Sequence, residues 1–169
     1  MRRLIAAVAV LLLSIAVASA QNYMVIDSER VFKSLVEYND ALNEIERLSK
    51  AYQEKVDEKF GEVESLYNSY ISQRAALGEY TRQQREQQIL SLEKEATEFQ
   101  ESVFGTDGVI MKRRMELIQP IQQRVFKAIE NIAKEQGYDL VIDISANPTV
   151  LYYSTKVDYT DRVIEALKK

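Results

Sequence analysis

The chain has 169 residues, with 22 basic and 26 acidic side chains and a formal net charge of −4 at pH 7. It contains no Cys and no His. These absences exclude a disulfide framework, zinc sites built on Cys or His, and nucleophilic sites of the Cys-His and Ser-His-Asp kinds. The acidic balance offers no basic footprint for a nucleic acid, and no nucleotide or other cofactor motif is present, so neither a nucleic-acid partner nor a cofactor is expected.

Residues 1–20 have the pattern of a secretory signal peptide. A basic pair follows the initial Met, residues 4–17 are apolar and uncharged, and small residues precede the expected cleavage between Ala20 and Gln21. The alternative is an uncleaved anchor, but the apolar run is shorter than the roughly 20 residues that span a bilayer. We therefore expect a mature chain outside the cytoplasm, with 20 basic and 26 acidic residues.

A short strand and a long helix are expected next. Residues 22–27 have strand character, and Asp27 or Ser28 can cap the helix that follows. Apolar residues then recur at steps of three and four, which predicts one amphipathic helix from Glu29 to Leu77. At about 1.5 Å per residue this helix is a rod of roughly 70 Å. A globule of this chain length measures only about 30 to 40 Å, so an elongated protein is expected.

A second helical stretch follows a turn at residues 75–80. Its apolar residues keep the spacing of a coiled-coil seam from Ile89 to Val103 and resume from Met111 to Ile132. Gly105 and Gly108 interrupt the pattern, and Pro120 lies inside it, so all three are predicted hinge positions. The two stretches have similar lengths and predict an antiparallel helical hairpin that ends at a Gly137 cap.

The basic triplet Lys112-Arg113-Arg114 has two interpretations. In the register of a hairpin with its tip at Gly78, the triplet lies opposite the acidic residues Asp40, Glu44 and Glu46. Ion pairs between the two helices are therefore expected. A site for an anionic ligand is the alternative.

The end of the chain resembles a strand hairpin followed by a short helix. Tyr138–Ile144 and Val150–Tyr153 are strand candidates around a turn at residues 145–148, and a helix is expected over residues 158–167. Together with the first strand they make three short strands with open edges. Pairing with other copies of the chain would close these edges, so the sequence predicts an obligate oligomer without giving its size.

An enzyme is the weakest interpretation of this sequence. Asp139 and Asp143 share one face of a predicted strand at a separation of about 13 Å. Paired catalytic carboxylates lie no more than roughly 9.5 Å apart, so these two do not form an acid–base pair. A structural or adaptor coiled coil of the cell envelope fits the sequence better than an enzyme does, because such a protein would share the signal peptide and the helices.

Three stretches resemble the Skp/OmpH family of periplasmic chaperones. They are MVIDSERVFKS (Met24–Ser34), GYDLVIDIS (Gly137–Ser145) and YYSTKVDYTDRVIEALKK (Tyr152–Lys169). The resemblance implies an α+β, mainly α fold in which a homotrimer builds a shared β barrel and each chain adds a helical arm. On this view residues 21–27 and 137–169 form the body with its C-terminal helix, and residues 28–136 form the arm, with its tip near residues 75–80.

The function that the resemblance implies is that of an ATP-independent holdase. Such a protein binds unfolded outer-membrane β-barrel proteins, prevents their aggregation and delivers them toward the outer membrane. The family also suggests a weak membrane or lipopolysaccharide contact at the arm tips, which the acidic charge of this chain disfavours.

Two sets of site residues follow from this interpretation. Diffuse client binding is expected where aromatic, aliphatic and basic residues cluster at the arm tip: Tyr67, Tyr70, Ile71, Leu77, Tyr80, Arg74, Arg82 and Arg85. The trimer interface is expected among the apolar strand residues: Val25, Ile26, Leu140, Val141, Ile142, Ile144, Val150 and Leu151.

Overall fold

The computed structural model describes residues 22–145 and 147–168, so the predicted signal peptide and its cleavage site lie outside the described residues. The described chain is mainly helical with a small sheet, which confirms the α+β, mainly α class. It divides into two compact units. A terminal unit contains the described residues up to Leu35 and from Gln123 onwards, and a hairpin unit contains Val36–Gln122.

The elements follow one another in a simple order. Strand β1 (Tyr23–Ile26) leads into helix α1 (Ser28–Lys33) and the long helix α2 (Val36–Gln73). A 3-10 turn (Arg74–Ala76) connects α2 to helix α3 (Glu79–Phe104), and helix α4 (Val109–Gln136) comes next. Strand β2 (Leu140–Asp143), a 3-10 turn (Thr155–Val157) and helix α5 (Thr160–Leu167) complete the described chain.

The prediction of one continuous helix from Glu29 to Leu77 is wrong at Ser34 and Leu35, which separate α1 from α2. The Ser34 hydroxyl donates to the Val31 carbonyl at 2.7 Å, and the Leu35 amide closes a tight turn onto the Phe32 carbonyl at 3.0 Å. A serine side chain that competes for backbone carbonyls favours helix ends. The turn also buries Leu35, which is 5% exposed.

The predicted strand hairpin is also wrong. β2 pairs in parallel with β1, from Tyr23 opposite Leu140 to Ile26 opposite Asp143, and Val150–Tyr153 forms no strand. The other side of β1 is occupied by a bridge from Val25 to Asp158. β1 thus has a neighbour on each side, whereas Val150–Tyr153 does not pair with the outer edge of β2, its predicted partner, within the described residues.

The core of the terminal unit joins β1 to three helices. Met24, Val31, Val125 and Val163 are completely buried there. The buried Thr160 hydroxyl accepts from the Asp27 amide at 3.0 Å and donates to the Asp158 carboxylate at 2.6 Å, so α5 is attached to the end of β1. This polar link has a partner at each end, as a buried hydroxyl requires.

The hairpin unit is built on the predicted apolar seam. Its buried residues come from three helices: Ile45 and Val56 on α2, Ile89 and Val103 on α3, and Ile118 on α4. The seam therefore pairs the helices as its spacing of three and four residues predicts.

Three glycine or proline positions have different roles in the helices. Residues 105–108 separate α3 from α4, and a Cβ on Gly105 or Gly108 would lie 2.4 Å from a backbone carbonyl oxygen. Helix α4 continues through Pro120, where the predicted kink stays a prediction. Gly137, with φ of 71°, ends α4, and the Tyr138 amide then donates to the Ala133 carbonyl at 2.8 Å. These are the left-handed conformation and hydrogen bond of a Schellman cap.

Candidate functional site

An open apolar groove lies along α2 and α3 near the turn that connects them. Its volume is about 730 Å³. On each helix the lining residues recur at steps of three and four, so they form one stripe per helix. They are Phe60, Val63, Glu64, Tyr67, Tyr70, Ile71 and Arg74 on the α2 side and Glu86, Ile89, Leu90 and Glu93 on α3.

The floor of the groove is formed by residues that hold the two helices together. Tyr70 and Ile89 are only 6% and 8% exposed, and the Tyr70 hydroxyl donates a hydrogen bond to the Glu86 carboxylate. This bond, and then burial, raise the pKa of Tyr70 above its ordinary value. Tyr70 is one of the predicted client-contact residues; it lies in the floor of the groove with its hydroxyl bonded to α3, and its contact with clients stays a prediction.

The walls of the groove remain open to solvent. Tyr67, Ile71 and Leu90 are 50%, 49% and 56% exposed, since two helices cannot bury side chains beside their seam. Leu90, Phe60 and Val63 were not among the predicted site residues. The available signal for Leu90 was its place directly after the seam residue Ile89, which puts an apolar side chain outside the buried stripe.

The other predicted tip residues lie around the groove rather than in it. Tyr80 is 73% exposed, and its hydroxyl accepts a hydrogen bond from the side-chain Nε2 of Gln84 at 2.9 Å. Leu77 is half-buried, and Arg82 forms an ion pair with Glu79 at 3.3 Å. Arg85 is also half-buried. Of the three predicted tip cations, Arg74 is the one that lines the groove among the described residues.

A comparison with known protein families assigns the chain to one of them. A family model described as "Outer membrane protein (OmpH-like)" matches residues 22–167. The chain belongs to the OmpH-like family. The match confirms the resemblance seen in the sequence, and it covers the strands as well as the helical hairpin. No curated protein matches the chain.

The OmpH-like family consists of periplasmic chaperones that bind outer-membrane proteins, and it is not typically enzymatic. Within residues 22–145 and 147–168, no group of three or more His, Cys, Asp or Glu side chains is arranged to hold a metal ion. In the same ranges, every helix is too short or too polar to span a bilayer.

The residues predicted for a trimer interface differ widely in exposure. Val25 and Ile26 are buried within their own chain, at 1% and 3% exposure, because they form the middle of the terminal unit. Leu140 and Leu151 are 56% and 93% exposed. The others are half-buried: Val141, Ile142, Ile144 and Val150.

The two aspartates considered as catalytic carboxylates are in different surroundings. Asp139 is exposed, whereas Asp143 accepts hydrogen bonds from Ser28 and Ser145. Asp143 thus connects the end of β2 to the start of α1.

Arg113, the middle residue of the basic triplet, forms the ion pair between helices that the register predicts. Arg113 donates to the Glu44 carboxylate at 2.6 and 2.8 Å and to Glu116 at 2.9 Å. These hydrogen bonds raise the pKa of the Arg113 guanidinium, with the bond to Glu44 as the largest cause. Arg113 is therefore a structural residue of the hairpin unit.

Proposed function

We propose that the chain is an ATP-independent holdase of the periplasm, secreted by a cleaved signal peptide. It binds unfolded outer-membrane proteins, prevents their aggregation and delivers them toward the outer membrane. The observation that carries this proposal is the open groove with three half-exposed apolar side chains, Tyr67, Ile71 and Leu90. Membership of the OmpH-like family supports the same function.

The groove suits capture of unfolded chains for a physical reason. Each Å² of apolar client surface removed from water contributes roughly 25 cal/mol, whatever the client sequence. A folded protein has already buried most of that surface, so a shallow apolar groove prefers the unfolded state. Tyr80 and Leu77 extend the apolar area around the turn, and Arg74, Arg82 and Arg85 add weak polar contacts.

We also propose that the working form is a homotrimer assembled through residues 21–27 and 137–169, with residues 28–136 as the client-binding arm. Two exposed residues support this assembly. Leu151 and Tyr152 are 93% and 86% exposed, and the chain around them is not part of a helix or strand. β2 is paired only with β1 among the described strands, so its outer edge can accept a strand from another copy.

Light scattering of the purified protein tests the assembly. We expect about three times the protomer mass, and a lower mass for Leu151→Asp, because that side chain makes so little contact within its own chain. Val141→Asp and Ile142→Asp should have the same effect or prevent folding. A stable wild-type monomer would contradict the trimer.

The test of the holdase function is an aggregation assay with a β-barrel protein diluted from denaturant, without nucleotide. The wild type should keep the client soluble, and Tyr67→Ser/Ile71→Ser/Tyr80→Ser should suppress aggregation less. A matched control replaces exposed apolar residues that lie on α4: Val109, Met111 and Met115. This control should remain close to wild type.

Salt distinguishes apolar from electrostatic capture in the same assay. Raising salt from about 0.05 to 0.5 M shortens the screening length from roughly 14 to 4 Å. Apolar capture survives this change. If high salt abolishes the holdase activity and the Ser substitutions leave it unchanged, clients are instead captured electrostatically by Arg74, Arg82 and Arg85. Absence of any suppression would favour the structural coiled coil of the envelope.

A further inference from the structure

We propose that the groove along α2 and α3 selects unfolded segments in which a run of apolar side chains ends in Lys or Arg. This inference rests on the proposed function, because it names the class of client segment that the same groove binds. Its basis is a pair of carboxylates at one end of the groove.

Glu64 and Glu93 lie at the same level on the two helices. The hydrogen bond from Tyr70 to Glu86 sets the register of α2 against α3. Glu64 is six residues before Tyr70, and Glu93 is seven residues after Glu86 on the antiparallel helix, so both positions lie almost equally far from the turn. Both side chains line the groove.

Neither carboxylate has a partner of opposite charge. Within the described residues, Glu64 and Glu93 form no ion pair and no side-chain hydrogen bond. Their neighbours at three and four residues along each helix are all uncharged: Phe60, Gly61, Tyr67 and Asn68 for Glu64, and Ile89, Leu90, Ala96 and Thr97 for Glu93. The next cation on α3, Lys94, is paired with Glu98 at 3.7 Å.

Two like charges at one end of an apolar groove are stabilised by a cation placed beside both. Arg74 and Glu86 line the opposite end of the groove, next to the turn, where their opposite charges offset each other, so the net negative charge lies at the Glu64 and Glu93 end. A bound segment therefore has a preferred direction, with its basic residue at the Glu64 end. Charge complementarity of this kind gives selectivity more than total affinity.

The length of the groove fits a short extended segment. From Phe60 to Arg74 the helix rises about 21 Å, which matches roughly six residues of extended chain. Strands of membrane barrels alternate apolar and polar residues, so one face of such a segment presents its apolar side chains to the groove. The occupant is thus an unfolded client strand that has Lys or Arg at one end.

Fluorescence anisotropy with two labelled peptides tests this inference on the full mature protein. Both peptides carry the same alternating apolar core, and one is flanked by Lys and the other by Glu. At about 0.05 M salt the Lys-flanked peptide should bind about three- to tenfold more tightly, the range expected for one or two exposed ion pairs. The preference should fall below about twofold at 0.5 M salt.

Two double variants separate the local carboxylates from the general charge of the protein. Glu64→Gln/Glu93→Gln should lose the preference for the Lys-flanked peptide. Glu58→Gln/Glu62→Gln removes the same charge from a different surface of the hairpin unit and should keep the preference. Equal binding of the two peptides to the wild type, or equal effects of the two variants, would overturn the inference.

Two further results separate this inference from the proposed function. A normal holdase that shows no peptide preference refutes the inference alone. If the protein prefers the Lys-flanked peptide but does not suppress aggregation, the proposed holdase function is refuted, whereas the peptide selectivity of the groove stands. If neither peptide binds and Ile71→Ser lowers the oligomeric mass, the groove is covered by a second copy, and the inference is wrong.

Discussion

Replacing Asp143, the last residue of β2, by Ala should lower the unfolding free energy of the terminal unit. Its Oδ1 accepts from the Ser28 amide and the Ser145 amide, both at 3.1 Å, and from the Ser145 hydroxyl at 2.8 Å. Its Oδ2 accepts from the Ser28 hydroxyl at 2.5 Å. One side chain thus joins β2 to the first turn of α1 and to the loop that follows β2.

The expected loss is about 2 kcal/mol of unfolding free energy. A hydrogen bond to a charged group contributes about 1.5 to 3 kcal/mol, and the bonds at one partly exposed carboxylate are not additive. Asp143→Asn keeps an acceptor and should cost about 1 kcal/mol. Asp139→Ala is the control, since that side chain is exposed and four residues away, and it should change stability by no more than about 0.5 kcal/mol.

The contribution of Asp143 should also depend on pH. Burial alone would raise the pKa of Asp143, but hydrogen bonds from Ser28 and Ser145 outweigh burial and hold it below the ordinary value of 3.8. A carboxyl whose pKa is lowered by folding stabilises the fold fully above its unfolded pKa, and this stabilisation is lost as pH falls through the folded value. The stability difference between wild type and Asp143→Asn should therefore shrink as pH drops below 3.8.

Urea denaturation followed by circular dichroism measures these differences. All variants must be compared at one protomer concentration, because assembly contributes to apparent stability. Glu130, whose pKa the neighbouring Lys134 and Lys127 lower to about 2, titrates in every variant and cancels from the comparison. Equal midpoints for Asp143→Ala and Asp139→Ala would show that the hydrogen bonds of Asp143 do not stabilise the terminal unit.

Two other predictions concern glycines. Gly137→Ala should destabilise by about 1 kcal/mol because it forces Cβ into the left-handed region, whereas Gly61→Ala, inside α2 with open space around it, should stabilise by about 0.5 to 1 kcal/mol. Thermal melts that shift in the same direction would contradict this pair. Amide exchange should be faster at Thr106–Val109 than at Leu92–Phe99, and equal protection would exclude a hinge at Gly105 and Gly108.

Features fixed by local physics could be predicted from the sequence. Asp27 accepts from the Arg30 amide as a helix cap, and Gly137 adopts the left-handed conformation of a cap. The seam spacing also predicts the register that brings Arg113 to Glu44. Each of these depends on residues within one or two helical turns, or on a regular repeat along a helix.

Features that depend on distant partners could not be predicted in the same way. Val150–Tyr153 has the composition of a strand, but composition does not decide which strands pair, and within the described residues its predicted partner β2 pairs with β1 alone. Ser34 ends a helix through one hydroxyl, which the apolar pattern does not reveal. The groove could be predicted only in part, because the register of the two helices is what brings Leu90, Glu64 and Glu93 into the lining of one groove.

The preference of the protein for unfolded clients is tested most directly by comparing its binding to one labelled β-barrel client in two states. The client is either diluted from urea or folded in detergent micelles, and its fluorescence is followed as the mature protein is added without nucleotide. We expect saturable binding of the unfolded client and none of the folded one, because only the unfolded chain offers apolar strands to the groove. Equal binding of both states, or binding of neither, would contradict this expectation.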